Sequence, residues 1–184
     1  KRDSVTVAAD KFRLLSPELE DTLAVPEAFI HQLRFEVEKG NYTLAFELTD
    51  VNDPNETYQL EQKITTRLGD EQLAASEIQF LESYKPANES GVFTKSGYDI
   101  IPLISSGVYY YNENAQNLAF YGEIYNTDNS FGEGEPYVVK YFLKDSDNGK
   151  ILNEYANFSR KKGKEVEPVL ASFPIKNLPT GNYE

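Results

Sequence analysis

The sequence predicts an all-β protein made of two tandem antiparallel β-sandwich domains, of the immunoglobulin-like or fibronectin-like kind. Three observations support this fold class. Apolar and polar residues alternate with a period of two in several stretches, turn-forming residues interrupt these stretches at short intervals, and the sequence Gly-Asn-Tyr occurs twice, at residues 40–42 and 181–183. A period of two places apolar side chains on one face of a strand. Closely spaced turns are typical of sandwiches.

The alternation predicts individual strands. It is clearest over residues 42–49, where aliphatic and aromatic residues alternate with mainly polar ones, and it predicts a further strand over residues 33–37. Residues 118–125 carry apolar or aromatic side chains at both sets of positions. Because both faces of such a strand can be buried, we expect this strand to lie in the centre of a sheet.

Turn signals separate these strands. Asn148-Gly149 lies between two alternating runs, residues 137–143 and 151–158. Asn-Gly adopts positive φ angles readily, so this dipeptide predicts a tight hairpin with positive φ at both residues. The basic run Arg160–Lys164 is interpreted as a solvated hairpin tip. Helical periodicity is weak, and residues 16–23 are expected to form at most a short helix.

The Gly-Asn-Tyr repeat indicates the domain organisation, because each copy follows similar residues and is expected to close its own β domain. The predicted domains are residues 1–68 and 69–184. After the first copy, residues 43–50 and 57–66 supply two more strands, whereas only Glu184 follows the second copy. About 40 residues precede the first copy, whereas over 100 residues of the second domain precede the second copy. We therefore expect the first domain to be truncated on its N-terminal side and the second to lack its last strand or two.

Composition excludes several classes of function. The 184 residues contain 18 Lys+Arg and 30 Asp+Glu, a formal charge of −12 that argues against a general affinity for nucleic acid or acidic membranes. The absence of Cys excludes disulfides, thiolate metal sites and a cysteine nucleophile. With 40% hydrophobic residues, the chain can bury a core. No apolar run approaches the roughly 20 residues of a membrane span.

The sequence offers little for catalysis, and we expect no catalytic residue, no cofactor and no metal. His31 is the only histidine, which excludes a His-based zinc site, and no Gly-x-Ser-x-Gly elbow accompanies it. His31 lies in an alternating run, so it is interpreted as a strand residue at a surface or edge. A glycoside hydrolase with two carboxylates remains the least favoured alternative. Calcium binding by the acidic loops 50–56 and 145–149 stays open, although both are better explained as turns.

Tyrosines supply the first alternative, a carbohydrate-binding or adhesion module. Tyrosine combines a flat apolar ring with a hydroxyl group, so exposed tyrosines can stack on sugars or anchor a partner. The absence of Trp weakens this interpretation. The candidate ligand-facing aromatics are Tyr109, Tyr110, Tyr111, Tyr121 and Tyr125.

Three segments, residues 73–80, 118–126 and 178–184, resemble successive strand motifs of the GWxTD-domain proteins of Bacteroidota. The defining Gly-Trp-x-Thr-Asp segment of that family is absent from this chain. The resemblance implies a cell-envelope protein of the periplasm or of the outer membrane or cell surface, often a lipoprotein whose lipid anchor lies upstream, without catalytic activity. It thus implies a protein-interaction or spacer module with envelope protein partners. Ser4 and Thr22 resemble bacteroidete O-glycosylation sites.

Overall fold

The computed structural model describes residues 1–3, 5–15, 30–66, 71–104 and 116–184. Within these ranges the chain forms antiparallel strands and one short helix, which confirms the predicted all-β class. The elements are β1 Gly40–Thr49, β2 Thr57–Thr66, β3 Ala74–Ala75, β4 Gln79–Pro86, β5 Thr94–Lys95, β6 Tyr98–Pro102, β7 Asn117–Tyr125, α1 Thr127–Phe131, β8 Pro136–Lys144, β9 Ile151–Lys162 and β10 Val166–Pro174.

The chain divides into two compact units, residues 1–70 and 71–184. Unit 1 contains the hairpin β1–β2, paired from Gly40 opposite Thr66 to Thr49 opposite Thr57. The strand predicted over residues 33–37 is wrong, because the structure assigns no strand to this segment. Alternation of apolar and polar residues alone therefore does not establish a strand.

Unit 2 contains two sheets. The larger has the strand order β10-β7-β4-β6-β5, with β3 also paired to β7, and the smaller is the hairpin β8–β9. Strand β7 pairs with β10 on one side and with β3 and β4 on the other. The prediction of a central strand over residues 118–125 is therefore confirmed.

The two sheets of unit 2 enclose an apolar core. One face of β7 and β10 packs against inward side chains of β8 and β9, which gives a sandwich-like arrangement. The Phe120 ring lies 5.5 Å from Tyr141 in an edge-on arrangement and 6.0 Å from Phe173 in a stacked one. Along β8 the inward residues are buried or half-buried and the residues between them are more exposed. The buried members of the core are Phe120, Leu143, Tyr155, Val169, Ala171, Phe173 and Ile175.

The two Gly-Asn-Tyr copies form the same local structure. The Tyr42 hydroxyl donates to the carbonyl oxygen of Glu38 at 2.7 Å, and the Tyr183 hydroxyl donates to that of Pro179 at 2.8 Å. In each case the acceptor lies four residues upstream, the arrangement called a tyrosine corner in immunoglobulin-like sandwiches. A Cβ atom at Gly181 would lie 3.1 Å from the Tyr183 hydroxyl, so glycine leaves room for the ring.

The turn between β8 and β9 differs from the prediction. Gly149 has a positive φ of 72°, whereas Asn148 does not. Asp145 organises the turn, because its carboxylate accepts hydrogen bonds from the backbone N–H groups of Asp147 and Asn148. The turn is therefore longer than the tight hairpin expected from Asn-Gly. It has one positive φ angle where two were expected, and hydrogen bonds to the Asp145 carboxylate stabilise it.

Helix α1 was not predicted from the sequence. The fully buried Thr127 holds this helix in place. Its hydroxyl donates to the carbonyl oxygen of Lys164 at 2.7 Å and accepts from the Lys164 N–H at 2.9 Å. The backbone also approaches closely here, since a Cβ atom at Gly163 would lie 2.0 Å from the carbonyl oxygen of Gly132. A single side chain thus joins α1 to the connection between β9 and β10.

We predict that Thr127→Val lowers the free energy of unfolding by about 2 kcal/mol, because valine keeps the shape but leaves the N–H and C=O of Lys164 without their partner. Urea unfolding followed by circular dichroism measures the change. Thr180→Val is the matched control, because Thr180 is exposed and its replacement is expected to change stability by less than about 0.5 kcal/mol. Equal effects of the two substitutions would contradict this role of Thr127.

Candidate functional site

Two of the predicted ligand-facing tyrosines lie on β7, at alternate positions on one face. Tyr121 is only 2% exposed, so its ring cannot stack on a ligand, and the prediction is wrong for this residue. Tyr125 is half-buried. The remaining candidates, Tyr109, Tyr110 and Tyr111, lie outside the described residues, as do Ser4 and Thr22.

Between these tyrosines lies Glu123, a buried carboxylate that organises the surrounding polar groups. The Tyr121 hydroxyl donates to Oε1 of Glu123 at 2.6 Å, and the Tyr125 hydroxyl donates to Oε2. Lys95 Nζ lies 3.2 Å from Oε1 and 4.9 Å from the centre of the Tyr121 ring. The Ser96 hydroxyl is 2.9 Å from that of Tyr121. We call these five residues the Glu123 network.

The network sets the ionisation of its members. Burial alone would raise the pKa of Glu123, but the hydrogen bonds from Tyr121 and Tyr125 and the charge of Lys95 together outweigh burial and lower this pKa below its ordinary value. The pKa of Tyr125 is raised, first by burial and then by its bond to the Glu123 carboxylate. Glu123 is therefore ionised and Tyr125 neutral at neutral pH, which suits a structural ion pair and not a general acid.

A second buried carboxylate, Glu167 on β10, is neutralised in a similar way. Lys161 Nζ lies 2.8 Å from Oε1 of Glu167, and Lys164 Nζ lies 3.0 Å from Oε2. Burial opposes ionisation, but the two lysines lower the pKa of Glu167 below its ordinary value. This contact corrects the interpretation of residues 160–164 as a solvated hairpin tip, because two of its lysines hold a buried acid.

The two buried glutamates point to opposite faces of the same sheet. Glu167 lies opposite Ile124, and Glu123 lies opposite Pro168, so the two acids occupy neighbouring and not directly paired positions of the β7–β10 ladder. Side chains at directly paired positions share a face, and neighbouring positions alternate. A glycosidase needs two carboxyl groups that flank one bond on a shared cleft, roughly 5–10 Å apart. These two acids do not provide that geometry.

The other sequence candidates have ordinary surroundings. His31 is exposed and lies outside any strand, with its ring centre 4.6 Å from that of Phe12, so its assignment to a strand is wrong. In both candidate calcium loops, aspartates accept hydrogen bonds from their own turns: Asp50 from the Asn52 N–H and Asp53 from the Asn55 N–H in the first loop, and Asp145 from the Asp147 N–H in the second. In the described part of the chain, no three His, Asp or Glu residues converge in a way that could hold a metal ion.

An apolar surface lies on the hairpin of unit 1. Alternate positions of β1, beginning at Tyr42, pair with alternate positions of β2, which places their side chains on one face. Beyond the buried Tyr42, this face is open to solvent, with exposed fractions of 40–63%. We call it the hairpin face, and its large exposed members are Leu44, Phe46, Leu48, Tyr58 and Leu60.

In unit 2, one edge of β8 carries only a short pairing. Lys144 and Glu184 exchange two backbone hydrogen bonds, of 2.9 and 2.8 Å, and the Ser146 N–H donates to the carbonyl oxygen of Asn182 at 2.9 Å. The side chains of Lys144 and Glu184 also form an ion pair at 2.5 Å. No described strand continues this pairing along residues 136–142 on the side opposite β9. We call this stretch the β8 edge.

The Glu123 network was not predicted from the sequence, although the spacing of three of its residues indicates that they share a face of one strand. Tyr121, Glu123 and Tyr125 alternate along one strand, so they had to share a face. Lys95 and Ser96 come from a turn 25 or more residues upstream, and nothing in the sequence indicates that this turn folds over β7.

Comparison of the chain with models of known protein families, with curated proteins and with solved structures found no match. Among the described residues, no helix is long and apolar enough to cross a membrane.

The lowered pKa of Glu123 predicts that stability is lost as the pH falls. Because this pKa lies below the unfolded value of 4.5, ionised Glu123 stabilises the fold above that pH, and the contribution disappears as the carboxylate takes up a proton below it. Glu123→Gln should therefore reduce the loss of stability between about pH 5 and pH 3 and should lower the free energy of unfolding at pH 7 by about 2 kcal/mol. Urea unfolding across this pH range measures both effects.

The control for this experiment is Glu154→Gln, which removes a carboxylate from an exposed position of β9. It should leave the dependence on pH close to that of the unaltered protein. A Glu123→Gln variant with an unchanged acid slope would refute the assignment of the pH dependence to the network.

Proposed function

We propose that this protein is a non-catalytic interaction or spacer module of a bacterial cell envelope, which contacts apolar surfaces of other envelope proteins. The observation that carries the proposal is the hairpin face of unit 1. Large apolar patches exposed on a soluble protein are typical of surfaces that bind other proteins. A hairpin of two strands is also marginally stable in water, so the covering of this face by a partner would stabilise it.

The buried charges support a non-catalytic role. Glu123 and Glu167 are each neutralised by lysines, and Glu123 also accepts hydrogen bonds from two tyrosines. A catalytic acid requires a carboxyl group whose pKa is raised, whereas both of these pKa values are lowered. Together with their placement on opposite faces of the sheet, this disfavours the glycoside hydrolase alternative.

The carbohydrate-binding alternative has less support than protein binding. Tyr121 is buried, and the hydroxyl of Tyr125 already binds Glu123. These two residues therefore serve the fold, and a sugar-binding surface would have to use Tyr109, Tyr110 and Tyr111. We keep this as the second candidate because those three residues lie outside the described part of the chain.

The location follows from the resemblance to GWxTD-domain proteins and is part of the same proposal. An envelope location, in the periplasm or at the outer membrane or cell surface, with a lipid anchor upstream, would place the hairpin face where envelope proteins can reach it. O-glycosylation at Ser4 and Thr22 belongs to this location, since the modification pattern is that of exported bacteroidete proteins.

We predict that a photo-cross-linking residue at position 46 yields a discrete cross-linked product with solubilised envelope proteins of a Bacteroidota bacterium. Phe46 lies on the hairpin face, whereas its neighbour Glu47 lies on the opposite face of β1, so the same residue at position 47 is the matched control. The product should be at least fivefold stronger at position 46 and should weaken in the variant Leu48→Ser/Leu60→Ser. Mass spectrometry identifies the cross-linked protein.

Equal labelling at positions 46 and 47, or labelling that Leu48→Ser/Leu60→Ser leaves unchanged, would argue against the hairpin face as the contact surface.

A further inference from the structure

We propose that the outward face of the β8–β9 sheet binds an acidic amphipathic helix of a partner protein, which presents an apolar stripe flanked by carboxylates. The proposal goes beyond the proposed function, because it concerns unit 2 and does not use the hairpin face of unit 1. We call this surface the basic face. It consists of the side chains at eight paired positions, Pro136, Val138, Lys140, Phe142, Ala156, Phe158, Arg160 and Lys162.

The basic face is the side of the β8–β9 sheet that points away from the core of unit 2. Residues 139, 141 and 143 of β8 contribute to the core, so the residues between them point outward. Lys140 lies opposite Phe158, and Val138 lies opposite Arg160. Since directly paired side chains share a face, these residues of β9 point outward as well.

Three large apolar side chains on the basic face are open to solvent. Phe158 is 69% exposed, Val138 is 58% exposed and Phe142 is 36% exposed. Phe158 is the diagonal neighbour of both Val138 and Phe142, so the three side chains form a continuous apolar stripe. At about 3.3 Å per strand residue, the stripe extends over roughly 13 Å.

Three cations border this stripe, and the eight positions of the basic face include no Asp or Glu. Lys140 borders the stripe on β8, and Arg160 borders it on β9, followed by Lys162. Lys140 Nζ lies 5.2 Å from the centre of the Phe142 ring, which places this charge beside the apolar stripe. In a chain whose net charge is −12, the basic face is therefore a local site for a partner of negative charge.

The partner needs apolar side chains for the stripe and carboxylates for the cations on both sides of it. Because the face of a sheet offers no backbone groups, an extended segment would lose water from its own N–H and C=O groups without replacement. A helix satisfies these groups internally. Apolar side chains at positions i, i+4 and i+8 of a helix extend over about 12 Å, which matches the length of the stripe.

Nucleic acid and anionic membranes are also negative, but the charge of the whole chain disfavours both. Charges farther apart than about 8 Å are largely screened at physiological ionic strength, so a short helix interacts mainly with the basic face. A long polyanion or a membrane surface also meets the rest of the chain, which has 30 Asp and Glu against 18 Lys and Arg. A short acidic segment of a protein is therefore the preferred occupant.

The test uses the whole chain and a capped synthetic peptide of about 15 residues, which carries Leu at every third or fourth position, Glu on both sides of that stripe and Ala elsewhere. Fluorescence anisotropy measures its binding. We expect saturable binding and a gain of peptide helix in far-ultraviolet circular dichroism. A peptide of the same composition in scrambled order should bind about tenfold more weakly, because it has the same charge but no apolar stripe.

Substitutions of valine test the stripe. Val138→Thr keeps the β-branched shape but removes apolar surface, so it should weaken binding of the peptide about threefold. Val92→Thr is the matched control, because Val92 is 57% exposed in unit 2 and lies between β4 and β5. It should leave the affinity unchanged. Phe158→Thr removes a larger apolar side chain and should weaken binding about tenfold.

Charge exchange tests the flanking cations. The double variant Lys140→Glu/Arg160→Glu should weaken binding of the peptide about tenfold, and it should bind a peptide with Lys in place of Glu more tightly than the unaltered protein does. Lys150→Glu/Lys176→Glu makes the same change of charge at two exposed positions outside the basic face and should leave the affinity unchanged. Near-ultraviolet circular dichroism checks that each variant is folded.

The proposal is wrong if the peptide does not bind up to its solubility limit, if the scrambled peptide binds equally well, or if Val138→Thr and Val92→Thr have equal effects. Tighter binding of single-stranded DNA or of phosphatidylglycerol vesicles than of the peptide would identify a different occupant and overturn it. A dimer of the chain that Phe158→Thr dissociates would also overturn it. The photo-cross-linking at position 46 uses no residue of the basic face, so failure of this inference is distinguishable from failure of the proposed function.

Discussion

Unit 2 depends on the central strand β7, which makes apolar contacts on one face and buried polar contacts on the other. On one face the Phe120 ring packs against Tyr141 and Phe173, whose rings also contact each other, and this cluster joins the two sheets of the sandwich. On the other face the Glu123 carboxylate accepts hydrogen bonds from two tyrosine hydroxyl groups and forms an ion pair with the ammonium group of Lys95. The apolar face supplies most of the favourable free energy through burial. The polar face fixes one arrangement of the surrounding turns, because a buried carboxylate is costly unless all its partners are in place.

Much of this fold could be predicted from the sequence, because the alternation of apolar and polar residues reports directly on which side chains share a face of a strand. Strand β1, the hairpin of β8 and β9 and the central position of β7 follow from the spacing of apolar residues. The segment 33–37 has the same spacing, yet the structure assigns no strand to it. Alternation therefore indicates which side chains can share a face, but it does not by itself establish a strand.

The candidate site was less predictable, because its parts come from distant segments. The sequence places Tyr121, Glu123 and Tyr125 on one face of a strand, but it does not bring Lys95 and Ser96 to them. The same limit applies to Thr127, which looks like an ordinary turn residue and yet links α1 to Lys164, 37 residues away. Polar residues whose partners are remote in sequence have no periodic signature, whereas an apolar face does.

In both tyrosine corners the acceptor of the hydroxyl hydrogen bond is a backbone carbonyl, first of Glu38 and then of Pro179. Every amino acid has this carbonyl, so the corner places no demand on the side chain four residues before the tyrosine. One corner therefore uses a charged residue there and the other an imino acid, without loss of the anchor. A hydrogen bond to the backbone therefore allows the side chains around the turn to vary. Two copies can keep the same turn while the residues that they expose differ in charge and polarity.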